Sequence, residues 1–414
     1  MFAVFRRVSG VCKELFGPID HLPHEDVPYE YVPPKKREAI SPCCLSSIVF
    51  VVLLASVVCA SAVGIYLWKL HWHDSLAAPK SVQKQQILLI GGQVTKACKK
   101  QVADAIWAIK PHTNDTFKWS GRIARARAHH IAGAYGIGNS KVVIAGGLLG
   151  IRSPYAKSTE LLTIATNGSA SSSGIESIPE MKQPRKGAAS AVVDDKLFVF
   201  GGSSDVRYQL VCEFYSFTDN YWSDCASVPG SETGLSHSYT TAVADPSRSE
   251  VLLATSTGRL YAYSPSTDTW RDALAEFELI TDGDKSKTTT QAAHRFVPRT
   301  GFSLSWFRGA LLACGGRRMR VSRCYCYTAP TRRCDIFKRH NAEYQGPTTL
   351  NLQTERANHR AVALDDTLYV IGGSDRMGAV QRSIEYLSEE KGRWQTSEMR
   401  LPEPLRYFAA VATA

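Results

Sequence analysis

Eight basic residues crowd into 23 positions: Arg317, Arg318, Arg320, Arg323, Arg332, Arg333, Lys338 and Arg339, opposed only by Asp335. A cluster this dense attracts acidic protein, sulfated or sialylated glycan, or lipid head groups through its summed field. Cysteines are the second group with chemistry. Seven of the eleven follow residue 68: Cys98, Cys212, Cys225, Cys314, Cys324, Cys326 and Cys334. Tyr215 and Trp222 are spaced to face each other across a turn. The same register puts Cys212 opposite Cys225, a disulfide geometry suited to an oxidising compartment. Cys334 is expected to meet Cys326 or Cys324 across a turn at Pro330, with Cys314 as a buried strand thiol. Two Asn-X-Ser/Thr triplets, at Asn114 and Asn167, are candidate glycosylation acceptors.

Other reactive side chains recur at a period instead of gathering. Arg127, Arg185, Arg299, Arg356 and Arg406 each precede an apolar run. His130 and His359 stand three residues after their arginine, and His237 occupies the comparable stretch of another unit. Groups repeated at a structural interval serve the repeat, so structural anchoring is expected of them. No catalytic residue is assigned. No metal site is expected, because no acidic or cysteine partner has ligand spacing beside the histidines. No cofactor is expected either: there is no phosphate loop, nucleophile elbow or HExxH. No nucleic-acid module and no oligomerisation signal stand out.

The elements that carry these residues follow from a repeat. Apolar β-type runs at 87–90, 142–145, 197–200, 311–314 and 368–371 each end in a glycine pair, and 251–254 ends in Thr255-Ser256. The steps between these points are 55, 55, 54, 60 and 57 residues. A fixed period in this range marks one supersecondary unit copied along the chain. The copies add a first strand before the glycines, led by an arginine except in the Thr255-Ser256 unit. After them come a strand ending in tyrosine and a strand beginning near tryptophan, as in Tyr215…Trp222, Tyr263…Trp270 and Tyr386…Trp394. Four-stranded sheets repeated radially make a propeller. The first unit lacks its Arg-led strand, and the C-terminal stretch 406–413 is such a strand with nothing after it. Joined, they close a ring of six sheets without long free edges.

The Arg…Gly-Gly…Tyr…Trp order resembles the kelch repeat, over about 330 residues. The resemblance implies an all-β, six-bladed kelch-type β-propeller closed by the C-terminal strand. It implies protein binding most often and, occasionally, carbohydrate enzymes; fold alone does not choose.

One segment is not globular. Residues 45–68 hold no charge over 24 positions, long enough to cross a bilayer as a helix. Tyr66 and Trp68 sit at one end, where amphipathic rings favour the interface. The expected organisation is a tail at 1–44, partly disordered; a transmembrane helix at 45–68; a linker at 69–84; and the six-bladed propeller at 85–414. Residues 1–68 balance six Lys/Arg against six Asp/Glu, so the net +11 lies wholly beyond them. Flanking charge and the two sequons favour a type II single-pass arrangement, with the propeller lumenal or extracellular.

The resulting expectation is a non-catalytic, membrane-tethered recognition domain that binds protein or anionic glycan through propeller loops. The alternatives are a carbohydrate-active propeller such as a sugar isomerase or mutarotase, and a cytosol-facing adaptor.

Overall fold

The computed structural model divides the chain into two units, Met1–Pro79 and Lys80–Ala414. The described residues run from 85 to 413, apart from short segments at 97–98, 137–139, 152, 165–173, 205–210, 230–239, 281–296, 322–325, 341, 343–349 and 389–391. The tail, the apolar segment 45–68, Asn167, His237, Cys98, Arg323 and Cys324 lie outside them. Among the described residues no helix is long and apolar enough to cross a membrane.

The described chain is all-β, with a propeller-like arrangement of five four-stranded antiparallel sheets and one larger sheet, plus a separate two-stranded sheet. We number sheets by their glycine pair or its equivalent, in chain order. Sheet 1 joins Ala409–Thr413, Gln86–Ile90, Ala105–Lys110 and Asp115–Arg122. Sheet 2 is Ile131–Tyr135, Lys141–Ala145, Thr159–Thr163 and Gly174–Ile178; sheet 3 is Ala189–Val193, Lys196–Phe200, Cys212–Ser216 and Tyr221–Cys225. Sheet 4 is Thr241–Asp245, Glu250–Ala254, Leu260–Ser264 and Thr269–Asp272; sheet 6 is Arg360–Leu364, Thr367–Ile371, Ser383–Ser388 and Gln395–Arg400. Where a further four-stranded unit was expected, sheet 5 has seven strands. Its centre is Ser303–Phe307, Ala310–Cys314, Cys326–Arg339 and Leu350–Arg356, with Phe277–Leu279, Arg299–Thr300 and Arg317–Val321 added at the sides.

The two ends of the propeller chain meet in one sheet. Ile87 opposes Ala412, Leu88 opposes Val411 and Ile90 opposes Ala409. This pairing covers the edge that Gln86–Ile90 would otherwise leave open. First strands pack side by side around the ring: Ile131–Tyr135 lies against Ala189–Val193 on one side and against Ala409–Thr413 on the other.

Second strands are buried along nearly their whole length, such as Val142–Ala145 and Leu197–Phe200. Both of their faces touch neighbouring sheets, which is why they read as continuous apolar runs and not as alternation. The glycine pair ends that run for a steric reason. Gly147 has φ +91°, and a Cβ there would stand 2.6 Å from the Ala128 carbonyl oxygen. Its N–H donates to the Arg185 carbonyl at 2.8 Å. The same stitch to the following sheet recurs from Gly92 to Arg127, Gly316 to Arg356 and Gly373 to Leu405. A side chain would block that approach.

Tyrosine and tryptophan face each other as expected in two sheets. Tyr215 opposes Trp222 and Tyr263 opposes Trp270. The indole N–H of Trp222 donates to the Pro179 carbonyl of the preceding sheet's loop, and that of Trp270 to Ala226, each at 2.8 Å. These rings wedge adjacent sheets together and satisfy their one polar atom in doing so.

Candidate functional site

The repeated arginines are buried structural anchors. Arg127, Arg185, Arg299 and Arg356 are 0–2% exposed. Each is ion-paired to a carboxylate two strands away in its own sheet: Glu160, Glu213, Asp335 and Glu385 respectively. Arg185 also donates to the carbonyls of Gly201 and Val211, both at 3.0 Å, closing the chain around the glycine turn. Glu213 in turn accepts from the backbone N–H of Lys182 and Gln183. Burial lowers the pKa of all four guanidiniums, to about 10 for Arg299, while the partner carboxylate pushes back up.

Arg406 is not the fifth member of this set. Its backbone bridges Gln93 as Ala128 bridges Leu148 and Lys186 bridges Ser203, so it lies one residue past the anchor position. Leu405 takes that position, 2% exposed, and Trp107 replaces the carboxylate on the third strand. Both sit in one apolar cluster. Sheet 1 thus substitutes an apolar pair for the buried ion pair. Arg406 is instead half-buried, hydrogen-bonded to the Gln93 side chain and packed over Tyr407.

Among the described residues there are two cross-strand disulfides. Cys212 bonds Cys225, in the register expected. The second corrects the expectation for Cys326 and Cys334: Cys334 bonds Cys314. Pro330 does not turn the chain. It lies inside the 14-residue strand Cys326–Arg339, so Cys326 and Cys334 are eight residues apart on one extended strand, roughly 26 Å. That strand pairs with Ala310–Cys314 and sets Cys334 directly opposite Cys314.

The same strand divides the basic cluster. The cluster was expected on loops; its described members lie on strands, at two ends of the sheet. Arg317, Arg318 and Arg320 are on Arg317–Val321, which folds back onto 326–330 as a hairpin leaving the glycine end of sheet 5. Arg332 and Arg333 follow, both exposed, with Arg333 paired to Asp335. Arg317 reaches Ser374 and the Asp375 carbonyl at 3.4 Å. Lys338 and Arg339 belong to the far end and to packing. Lys338 pairs with Glu278 at 2.7 Å. Arg339 pairs with Asp245 and Glu276 and lies over the rings of Phe277 and Trp306. Those two leave the binding set.

A second basic hairpin escaped the sequence reading. Gln93–Lys96 pairs with Lys99–Val102 immediately after Gly91-Gly92, the same place in its sheet as the Arg317 hairpin has after Gly315-Gly316. Lys96, Lys99 and Lys100 lie on it. The signal was the Lys-rich run 96–100 following a glycine pair. Second strands end where first strands begin, since Ala145 opposes Ile131 and Ile90 opposes Ala409. Both hairpins therefore leave the same end of the propeller.

At that end a cavity of about 190 Å³ opens on the central channel, lined by starts of first strands and the residues just before them. His129, Gly187, Gly301, Asn358 and Tyr407 are equivalent positions there, all with φ between 56° and 64°. Their backbones form a chain of hydrogen bonds from sheet to sheet: Gly187 to His129, His129 to Tyr407, Tyr407 to Asn358, and Asn358 to Gly301. None of the described lining residues is Asp or Glu. Among the described residues no group of His, Cys, Asp and Glu could hold a metal ion.

His130, itself part of this lining, and His359, between the lining residues Asn358 and Arg360, are buried. Burial, then Arg127 and Arg360, holds His130 well below the usual histidine range; burial, then Arg356, Arg360 and Arg299, does so for His359. His359 Nε2 lies 3.0 Å from the Ser303 hydroxyl. Asn114 is exposed at the turn between the outer two strands of sheet 1, in a left-handed conformation.

Two stretches match the kelch motif, residues 184–229 and 355–396. They cover sheet 3 and sheet 6, with their anchoring arginines, glycine pairs and tryptophans. The chain is also similar to two proteins of Limulus polyphemus: beta-scruin, 25% identical over 116 residues, and alpha-scruin, 27% identical over 115 residues. Each match takes in 28% of this chain and 12% of the relative. On motif and strand topology together, the chain carries kelch motifs on an all-β propeller arrangement.

Proposed function

We propose that this chain is a non-catalytic, membrane-tethered recognition domain. Its propeller would grip an acidic protein partner with the glycine-end face. The observation that carries this reading is the pair of basic hairpins leaving that one end, with Arg317, Arg318, Arg320, Arg332 and Arg333 on one side and Lys96, Lys99 and Lys100 on the other. Arg323 belongs to the same hairpin's sequence. In this reading the seven-stranded sheet serves as the fifth of six blades, enlarged to present its hairpin. An anionic glycan would answer to the same charge. A sugar isomerase or mutarotase would need carboxylates from outside the described lining.

Charge reversal tests it. Arg318→Glu with Arg332→Glu should weaken partner capture at least tenfold and flatten its salt dependence, because each lost cation removes a screened attraction. Unchanged capture and unchanged salt dependence would reject the hairpin. Heparin as competitor separates the glycan arm.

Tethering by residues 45–68, with the propeller lumenal or extracellular, completes the proposal. Two disulfides and an exposed Asn114 support that side of the membrane. Deglycosylation should increase the gel mobility of the wild-type chain, and Asn114→Gln should remove part of that shift. A chain indifferent to the enzyme and to the substitution would favour the cytosol-facing adaptor.

A further inference from the structure

Arg360 begins the first strand of sheet 6 and lines the central cavity. It differs from the anchoring arginines, each of which has a carboxylate and carbonyls around its guanidinium. Arg360 has no ion pair and no side-chain hydrogen bond to the described residues. It keeps some surface toward the channel, yet the wall is deep enough that burial alone lowers its pKa to about 10. Its charge is felt across the channel, helping to hold His129, His130 and His359 below the usual range.

The surroundings add cations and hydroxyls. Lys186 and Arg406 stand close enough to push His129 down further. Lys186 rests over the Tyr155 ring, and Arg406 is held by Gln93, so neither is neutralised by these contacts. Ser190 and Thr241 bring hydroxyls to the lining from two other sheets. Half of the other lining residues are alanine or glycine. His129 and Tyr407, stacked 3.7 Å apart between ring centroids, hold the rim in left-handed backbone that non-glycine residues rarely adopt.

Withdrawing a cation from bulk water without a partner is costly, and folded chains keep such groups when something else compensates them. We propose that the central cavity is a binding site for a small oxyanion, a carboxylate or phosphate group, seated on Arg360. The guanidinium fork suits either group, because two parallel N–H donors meet two oxygens. The cavity volume accommodates a small molecule and not a folded segment. This site is separate from the basic hairpins and stands or falls independently of them.

The test uses the full-length protein in detergent micelles at pH 7.5. Sodium phosphate and sodium acetate are each titrated against sodium chloride of equal ionic strength, and the melting temperature is read. Wild-type protein should melt several degrees higher with at least one oxyanion, as ligand binding to the native state requires. Arg360→Met should lose that shift, binding at least tenfold more weakly, while melting no lower than wild type without oxyanion. Arg360→Lys should keep a reduced shift. Three outcomes overturn the proposal: no oxyanion-specific shift in wild type, an equal shift in Arg360→Met, or Arg360→Met and Arg360→Lys both destabilised without ligand, which would make Arg360 another structural anchor.

Discussion

Arg185→Leu is expected to destabilise the propeller by about 3–5 kcal/mol, and Glu213→Leu by a similar amount. Each removal strands its partner. Without Arg185, the Glu213 carboxylate stays buried at 0% exposure with no countercharge, and the Gly201 and Val211 carbonyls lose a donor. Without Glu213, the guanidinium is stranded instead, and the N–H groups of Lys182 and Gln183 lose their acceptor. The double variant should cost clearly less than the sum, with a coupling of about 1–3 kcal/mol. Sheet 1 already shows that the position tolerates an apolar pair, Leu405 with Trp107. Chemical denaturation of the two singles and the double measures the cycle. Strict additivity would mean that the ion pair contributes nothing as a pair.

Acidification should be the second large effect. His129, His130 and His359 are all held neutral in the fold. Burial is the main cause, then nearby cations; for His129 the pKa falls to about 3. An unfolded histidine titrates near 6.5. Between those limits the unfolded chain binds more protons than the folded one, so stability rises with pH across the window. The contribution is complete above about pH 6.5 and is lost as pH falls toward 3. At pH 5 the His129 shift costs about 2 kcal/mol, and His130 and His359 act in the same direction. Denaturant midpoints at pH 7.5 and 5.0 should separate widely. His359→Gln, which keeps a polar group for the Ser303 hydroxyl, should narrow the gap by about one histidine's share. An equal gap in that variant would show that acid acts elsewhere.

The two effects are linked through the same residues. Burial is the main reason His130 and His359 stay uncharged, and the anchoring arginines Arg127, Arg356 and Arg299 add to it. Loss of Arg356 would therefore weaken one ion pair and relax the constraint on His359 at once. Arg360 differs from these anchors, and its place on the channel wall is what turns an unanswered charge into a candidate site.

Local pattern carried much of the fold. Glycine pairs, an arginine ahead of four of the first strands and the Tyr–Trp spacing are dictated by backbone turns and short-range hairpin register, so they repeat visibly along the chain. The unpaired strand at each end of the repeat region sufficed to find Ile87–Ala412 and its neighbours in one sheet. The same local register placed Cys212 opposite Cys225. Pairings between distant segments were beyond it. Pro330 reads as a turn in isolation, but neighbouring strands on both sides keep it extended, and that choice moved the second disulfide to Cys314 and split the basic cluster between two ends of the sheet. Arg406 looks like an anchor by residue type; a one-residue shift, set by its bridge to Gln93, gives the place to Leu405. Arg360 has no signature in the chain at all. Whether a charged side chain is neutralised depends on which carboxylates the other sheets bring within reach, and that is settled only when stretches remote in sequence pack together.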